Sequence, residues 1–355
     1  MRRIAPLVLS LIVPVILSAC GGGDDGSQPA ASANASALAS RTKPSTGKSS
    51  GSTTSGTSSG TSSGASATVS SGPGFPVSGP WMTYYGDAPT LGNLTKVANT
   101  FRIMDIDLDP DTGNFAPSDV VTLKNNGQNK VLSYLNLGSC EHWRGYWNQV
   151  PSGFVSCSAN TAAQLGAYQG YSDETWMNVG NADYQNLILN YVAPRLVAQG
   201  ADGFYLDNME IVEHGTSTSN GPCNAACSQG GLDLVRKLRQ KYPNLLIVMQ
   251  NATSNVTRLG TTGGVPFSSL LDGVAHEEVY KPTYDSQAES ELLNWQSMNL
   301  HPGGNPFWIA TVDYVGSCSD TTDASSAYTS SRSHGFSPYV SDSSAGQDVV
   351  CYWGF

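Results

Sequence analysis

Short runs of β-branched and aromatic residues recur through the second part of the chain, and apolar positions at helical spacing lie between them. The runs fall at 81–85, 101–107, 131–137, 203–207, 245–250, 273–277, 307–313 and 336–340. Helical periodicity covers 91–99, 117–126, 184–199, 232–241 and 286–299, with a short helix near 267–271. Asp183 is placed to cap the third of these and Gly200 to stop it. Strand alternating with helix specifies a parallel sheet. Eight such units specify closure into a single α/β (β/α)8 barrel, whose chemistry belongs at the C-terminal ends of its strands. The rival is an open doubly wound sheet, which would want a glycine-rich phosphate loop after the first strand. Gly86-Asp87-Ala88-Pro89 is not one. The long connection between Leu137 and Asp183 carries Trp143, Tyr146, Trp147, Tyr168, Tyr171 and Trp176. Such a loop over a barrel mouth can stack sugars, although for most of the six, packing the loop down is the expected role.

The first 78 residues follow other rules. Arg2 and Arg3 precede an apolar run to Leu17, and Leu17-Ser18-Ala19 leads into Cys20. A basic start, a short apolar core and small residues before a cut make residues 1–19 a signal peptide. The run is too short for a membrane span, which needs about 20 residues. Cys at the cut resembles a bacterial lipoprotein signal, with Cys20 as the lipidated residue, and Gly21 rather than Asp suggests the outer membrane. Residues 20–78 are Gly, Ser, Thr and Ala with few large apolar side chains, the composition of a flexible tether. Its reach is on the order of 40 Å. A barrel domain at 79–355, exported, monomeric and touching the membrane only through its anchor, is the expected organisation.

Charge and cysteines narrow the picture. The N-terminal 78 residues hold five of the 18 basic and two of the 28 acidic side chains, so the remainder carries 13 basic against 26 acidic groups. That balance argues against nucleic acid and suits a cationic substrate. Beyond Cys20 six cysteines remain, an even number that in an exported protein points to disulfides rather than metal ligands. Six allow 15 pairings. Proximity along the chain suggests Cys140–Cys157, Cys223–Cys227 and Cys318–Cys351.

Four acids stand at strand ends: Asp107, Asp207, Glu277 and Asp313. The fourth and sixth strands are two apart around a barrel, so Asp207 and Glu277 converge across its mouth. Paired carboxylates are the machinery of glycoside hydrolysis, one attacking or stabilising the anomeric carbon while the other protonates the leaving oxygen. Their common surroundings split their pKa values so that one is ionised and one protonated. No His-rich or closely spaced acidic cluster favours a metal, and no cofactor is expected. Glu278 belongs on the opposite side of the strand from Glu277. Asp109-Pro110-Asp111-Thr112-Gly113 has the composition of a turn.

At these residues the chain resembles the endo-α-1,4-polygalactosaminidase family, glycoside hydrolase family 114. The landmarks run from Trp81 to about Val340: Ile106-Asp107; Tyr134-Leu135-Asn136-Leu137-Gly138-Ser139 with Glu141, Trp143 and Arg144; and Glu174-Thr175-Trp176-Met177. Gly203-Phe204-Tyr205-Leu206-Asp207-Asn208, Gln250-Asn251, Val274-Ala275-His276-Glu277-Glu278 and Thr311-Val312-Asp313-Tyr314 follow. The resemblance implies a retaining, endo-acting hydrolase of an α-1,4-linked, galactosamine-rich and partly cationic polysaccharide. It implies Asp207 as nucleophile and Glu277 as acid/base, with Asp107, Tyr134, Arg144, Asn251, Asp313 and Tyr314 around the substrate. Where the family often has Lys before the fifth-strand Asn, this chain has Gln250, and loss of a cation alters which sugar substituent fits. A non-catalytic polysaccharide-binding barrel, or a hydrolase of another α-linked sugar, are the alternatives.

Overall fold

The structure, a computed structural model, describes residues 69–343 and 347–355. The signal segment, Cys20 and the tether up to residue 68 lie outside the described residues. Eight parallel strands form one sheet in sequence order: Trp81–Tyr84 (β1), Ile103–Ile106 (β2), Lys130–Asn136 (β3), Gly203–Asp207 (β4), Leu246–Gln250 (β5), Gly273–Glu277 (β6), Trp308–Val315 (β7) and Ser337–Asp342 (β8). The sheet curls into a nearly closed barrel. At the seam between β8 and β1 the link is made by side chains, the Trp81 indole donating to the Ser337 carbonyl at 2.8 Å. All eight expected strands are present.

Nearly every side chain on these strands is buried, which is why they read as apolar runs rather than alternating ones. Trp81, Tyr205, Tyr339 and Trp308 pack ring against ring in the barrel floor. One buried charge pair fixes the sheet's lower edge. Asp272, just before β6, accepts from the Arg239 guanidinium and from the Ile247 and Gly74 amides.

The helices depart from expectation in instructive ways. The first expected helix is two, Ala88–Leu91 and Leu94–Thr100, because the Asn93 side chain caps the second by accepting from the Lys96 amide. The helix after Asn181 begins at Ala182, and its cap is Asn181 rather than Asp183: its Oδ1 accepts from the Asp183 and Tyr184 amides. Gly200 does end that run, at a φ of 104°. The fourth helix starts at Ala225, not 232. Gly230 and Gly231 look like a break, yet they are there for space: a Cβ on Gly230 would lie 2.2 Å from the Gly180 Cα. The helix Thr321–Ser333 was not expected. Its inward face is Ala324, Ala327, Tyr328 and Ser331, small groups at helical spacing with little apolar signal.

Two further corrections concern segments read as loop or linker. The connection after β3 contains a three-stranded antiparallel sheet in which Tyr171–Met177 lies between Ser139–Glu141 and Gln164–Tyr168. The folded body also begins before residue 79. Phe75 is 2% exposed and packs its ring 4.8 Å from that of Trp308, and the Gly72 and Phe75 amides bond to Ser269 and Pro306 carbonyls. The three disulfides are Cys140–Cys157, Cys223–Cys227 and Cys318–Cys351, as proximity suggested.

Candidate active site

The ends of β4, β5 and β6 are followed by Asn208, Asn251 and Glu278, all three in the left-handed backbone region at φ of 58°, 61° and 54°. A left-handed residue turns the chain sharply. It leaves the preceding side chains, Asp207, Gln250 and Glu277, aimed into the mouth while Glu278 stands exposed. Asn tolerates this geometry well; Glu does so at a cost of about 1 kcal/mol.

Gln250 ties the pair together. Its Nε2 donates to Glu277 Oε2 at 2.7 Å and to Asp207 Oδ1 at 3.3 Å. Asp207 Oδ2 accepts from the Tyr134 hydroxyl at 2.9 Å. Glu277 is more heavily supplied. Its Oε2 also accepts from Asn251 Nδ2 at 2.8 Å, and its Oε1 accepts from the Tyr314 hydroxyl and from Gln347 Nε2. Asn251 holds Glu277 twice, since its Oδ1 accepts the Glu277 amide at 3.0 Å. Burial, and then the charge of Glu277, push the Asp207 carboxyl up to about 7. Asp207 therefore holds its proton more tightly than an ordinary carboxyl does.

Arg144 forms the second layer. It is buried, donates from Nη1 to both oxygens of Asp107 at 3.0 and 2.9 Å, and from Nε to Glu141 at 2.6 Å. Its charge is held firmly by these two carboxylates. Trp143 covers it, ring centroid 4.0 Å from the guanidinium carbon.

Two cavities open from this centre. One of about 640 Å³ is lined by Asp107, Tyr134, Trp143, Arg144, Asp207 and Glu277 among others. A second, of about 1050 Å³, runs past Glu277, Tyr284 and Tyr314. Glu277, Asn251, Tyr171 and Gln347 line both, whereas Asp207 lines only the first.

Of the residues expected at the site, Asp107, Tyr134, Arg144, Asp207, Asn251, Glu277 and Tyr314 are brought together. Asp313 is not. It is fully buried and accepts from the Tyr280 and Lys281 amides at 2.6 and 2.9 Å, anchoring the loop after β6. Strand alternation explains this, because Asp313 and the cleft-facing Tyr314 are neighbours on β7 and point to opposite sides. Of the six loop aromatics, Tyr146 and Trp176 are packed inside, while Trp143 and Tyr171 are about half exposed over the cleft. Sequence reasoning missed Glu210 and Gln347. Glu210 lies three residues after Asp207, buried against it, with no hydrogen bond to its Oε2. Gln347 arrives from beyond the last strand and carries no local signal. Among the described residues no group of three or more His, Cys, Asp or Glu side chains is arranged to hold a metal ion.

An eight-stranded α/β barrel with two converging carboxylates at the C-terminal mouth defines a glycosidase-type enzyme. The sequence matches the profile of glycoside-hydrolase family GH114 over residues 64–354, and the chain belongs to that family. Among solved structures it is similar to the glycoside hydrolase domain of PelA from Pseudomonas aeruginosa. The identity is 16%, covering 76% of this chain and 96% of that one, with a TM-score of 0.56. A point variant of the same domain gives 16%, the same coverage and a TM-score of 0.55. At such identity the likeness shows the fold. No curated protein matches the chain.

Proposed function

We propose that this glycoside hydrolase is a retaining, endo-acting enzyme that cuts an α-1,4-linked, galactosamine-rich polysaccharide, with Asp207 as nucleophile and Glu277 as acid/base. The observation that carries this reading is the Gln250 amide bonded to both carboxylates. Two facing oxygens that share one donor at these lengths lie within about 6 Å of each other, which favours the roughly 5–5.5 Å carboxyl separation of a retaining site over the roughly 6.5–9.5 Å of an inverting one.

The cavities support the division of labour. An acid/base must reach the oxygen between two sugars, and Glu277 is the member of the pair that lines both cavities. Asp207 faces the first alone, beneath the ring whose anomeric carbon reacts. Its carboxylate forms a bond to that carbon as the glycosidic bond breaks, and Glu277 gives its proton to the leaving oxygen. Glu277 then takes a proton from water, whose oxygen displaces Asp207 from the same carbon. These roles require Asp207 to be charged and Glu277 to carry the proton at bond cleavage. Positive charge developing on the sugar beside Asp207 favours the charged form of Asp207 against the burial that raises it. A cleft open on both sides of the scissile position suits attack within a chain rather than at its end.

The lining favours an amino sugar. Asp173, Glu174, Asp207, Glu210 and Glu277 all border the first cavity, and Arg144, the one cation bordering it among the described residues, is already engaged by Asp107 and Glu141. Burial pushes Asp207, Glu174 and Glu210 toward their neutral forms, and an ammonium group on the substrate would favour their charged forms and bind against them. Lipidation at Cys20 and anchoring to the outer membrane belong to the same proposal, supported by Arg2, Arg3 and Leu17-Ser18-Ala19-Cys20.

The test is digestion of partly deacetylated α-1,4-galactosamine polymer, with products sized by mass spectrometry beside a fully acetylated polymer and an α-glucan. A ladder of oligomers from the first polymer alone is expected. Cleavage of the α-glucan in preference to it would replace the substrate assignment, and release of single sugars from the outset would replace endo action.

A further inference from the structure

Gln347, which comes after β8 in sequence, puts its side chain into the catalytic centre. The Gln347 carbonyl accepts the Tyr85 amide at 2.9 Å, just past the end of β1. Its Oε1 lies 3.0 Å from the Thr83 hydroxyl, which also lies 3.2 Å from Asp105 Oδ2 and has one proton for the two, and its Nε2 faces β6 and β7. Nε2 donates to the Tyr314 hydroxyl at 2.8 Å and to Glu277 Oε1 at 3.3 Å. Tyr314 donates in turn to the same Glu277 oxygen. The donors thus run in one direction from Gln347 through Tyr314 to Glu277, the arrangement in which successive hydrogen bonds strengthen one another.

The same residue spans the one seam of the barrel that lacks a strand ladder, since Thr83 and Tyr85 belong to the β1 side and Tyr314 to β7. Four residues further on, Cys351 is buried and bonded to Cys318 in the β7 loop, and its amide donates to the Tyr339 hydroxyl of β8. Each end of this short stretch is therefore fixed to a different part of the mouth.

We propose that Gln347 is a positioning residue for Glu277 and Tyr314, and that the Cys318–Cys351 disulfide holds it in place. Full activity then requires that bond to be formed, while the barrel itself does not depend on it. The inference rests on the reading of Glu277 as a catalytic carboxylate. It adds a residue distant in sequence from every strand-end motif and makes the enzyme sensitive to the redox state of its surroundings.

The test uses the full chain and five variants: Gln347→Ala, Gln347→Glu, the double variant Cys318→Ala/Cys351→Ala, that double variant with Gln347→Ala added, and Glu277→Gln. With the amino-sugar polymer as substrate, Gln347→Ala is expected to lower kcat about 10- to 100-fold with KM little changed, as loss of a group that orients an acid/base does. Gln347→Glu is expected to recover activity as pH falls, because a protonated Glu regains a donor; a variant damaged only in packing has no such profile. The double cysteine variant should show the same kcat loss, with no further loss when Gln347→Ala is added. Hydrogen exchange supplies a readout that needs no substrate: the Tyr85 amide should lose protection in the double cysteine variant or on reduction. Tyr85 protection unchanged by reduction overturns the role of the disulfide. Wild-type kcat in Gln347→Ala, with Glu277→Gln inactive, overturns the positioning role and leaves the catalytic pair standing. Wild-type kcat in Glu277→Gln removes the catalytic reading and this one with it.

Discussion

Gln250 is a neutral bridge between the two candidate carboxylates. Its amide bonds to both Asp207 and Glu277, and burial, then the charge of Glu277, keep the Asp207 carboxyl up at about 7. In the proposed mechanism the pair reacts with one proton present, so kcat/KM is expected to fall as pH rises through about 7, by about tenfold per unit above it. Gln250→Lys places a cation against both acids, favours their charged forms and should move that alkaline limb to lower pH. A pH-rate profile of the two proteins checks the direction, and an unmoved limb counts against the assignment of the limb to this pair. The cleft residues that sequence made legible were those at strand ends, where alternation and barrel geometry fix the direction of a side chain. Asp313 shows the limit of that logic. A one-residue step along β7 separates it from Tyr314 and turns it from the cleft into the wall.

At the scale of elements, Asp313 acts as an anchor for the loop after β6. Asp313→Ala leaves the Tyr280 and Lys281 amides without their acceptor, and each buried group so exposed costs about 1–3 kcal/mol. A drop in Tm accompanied by a rise in KM is the expected pattern, because Tyr284 at the second cavity lies on that loop. A fall in kcat at unchanged Tm would instead put Asp313 among the reacting groups. The strands were legible because burial on both faces makes continuous apolar runs. Thr321–Ser333 was hidden because its buried positions are Ala and Ser, and the three-stranded sheet after β3 because its exposed strands carry mixed polar residues.

For the whole molecule, burial raises several acids at once: Asp207 and Glu213 to about 7 and Asp313 to about 6. A carboxyl whose folded value is raised binds its proton more tightly in the native state. Its contribution to stability is complete below the unfolded value of about 4 and is lost as pH rises through the folded value. The domain should therefore melt at a higher temperature at pH 5 than at pH 8, and calorimetry showing the opposite order would mean that other groups dominate. The N-terminal limit of the fold is a second property of the whole. Composition placed the start of the domain at 79, since Gly72-Pro73-Gly74 reads as linker, but Phe75 fills a socket beside Trp308. Phe75→Ala should cost about 3–5 kcal/mol, measurable by urea denaturation, and a chain starting at 79 should lose at least as much.

In the proposed reaction Asp207 and Glu277 act together at one glycosidic bond. The most direct measurement is the initial rate on the amino-sugar polymer for wild type, Asp207→Asn and Glu277→Gln, each shown to be folded by an unchanged near-UV circular dichroism spectrum. Loss of about 10³-fold or more in both variants is the predicted result. Either variant cutting the polymer at the wild-type rate would contradict it.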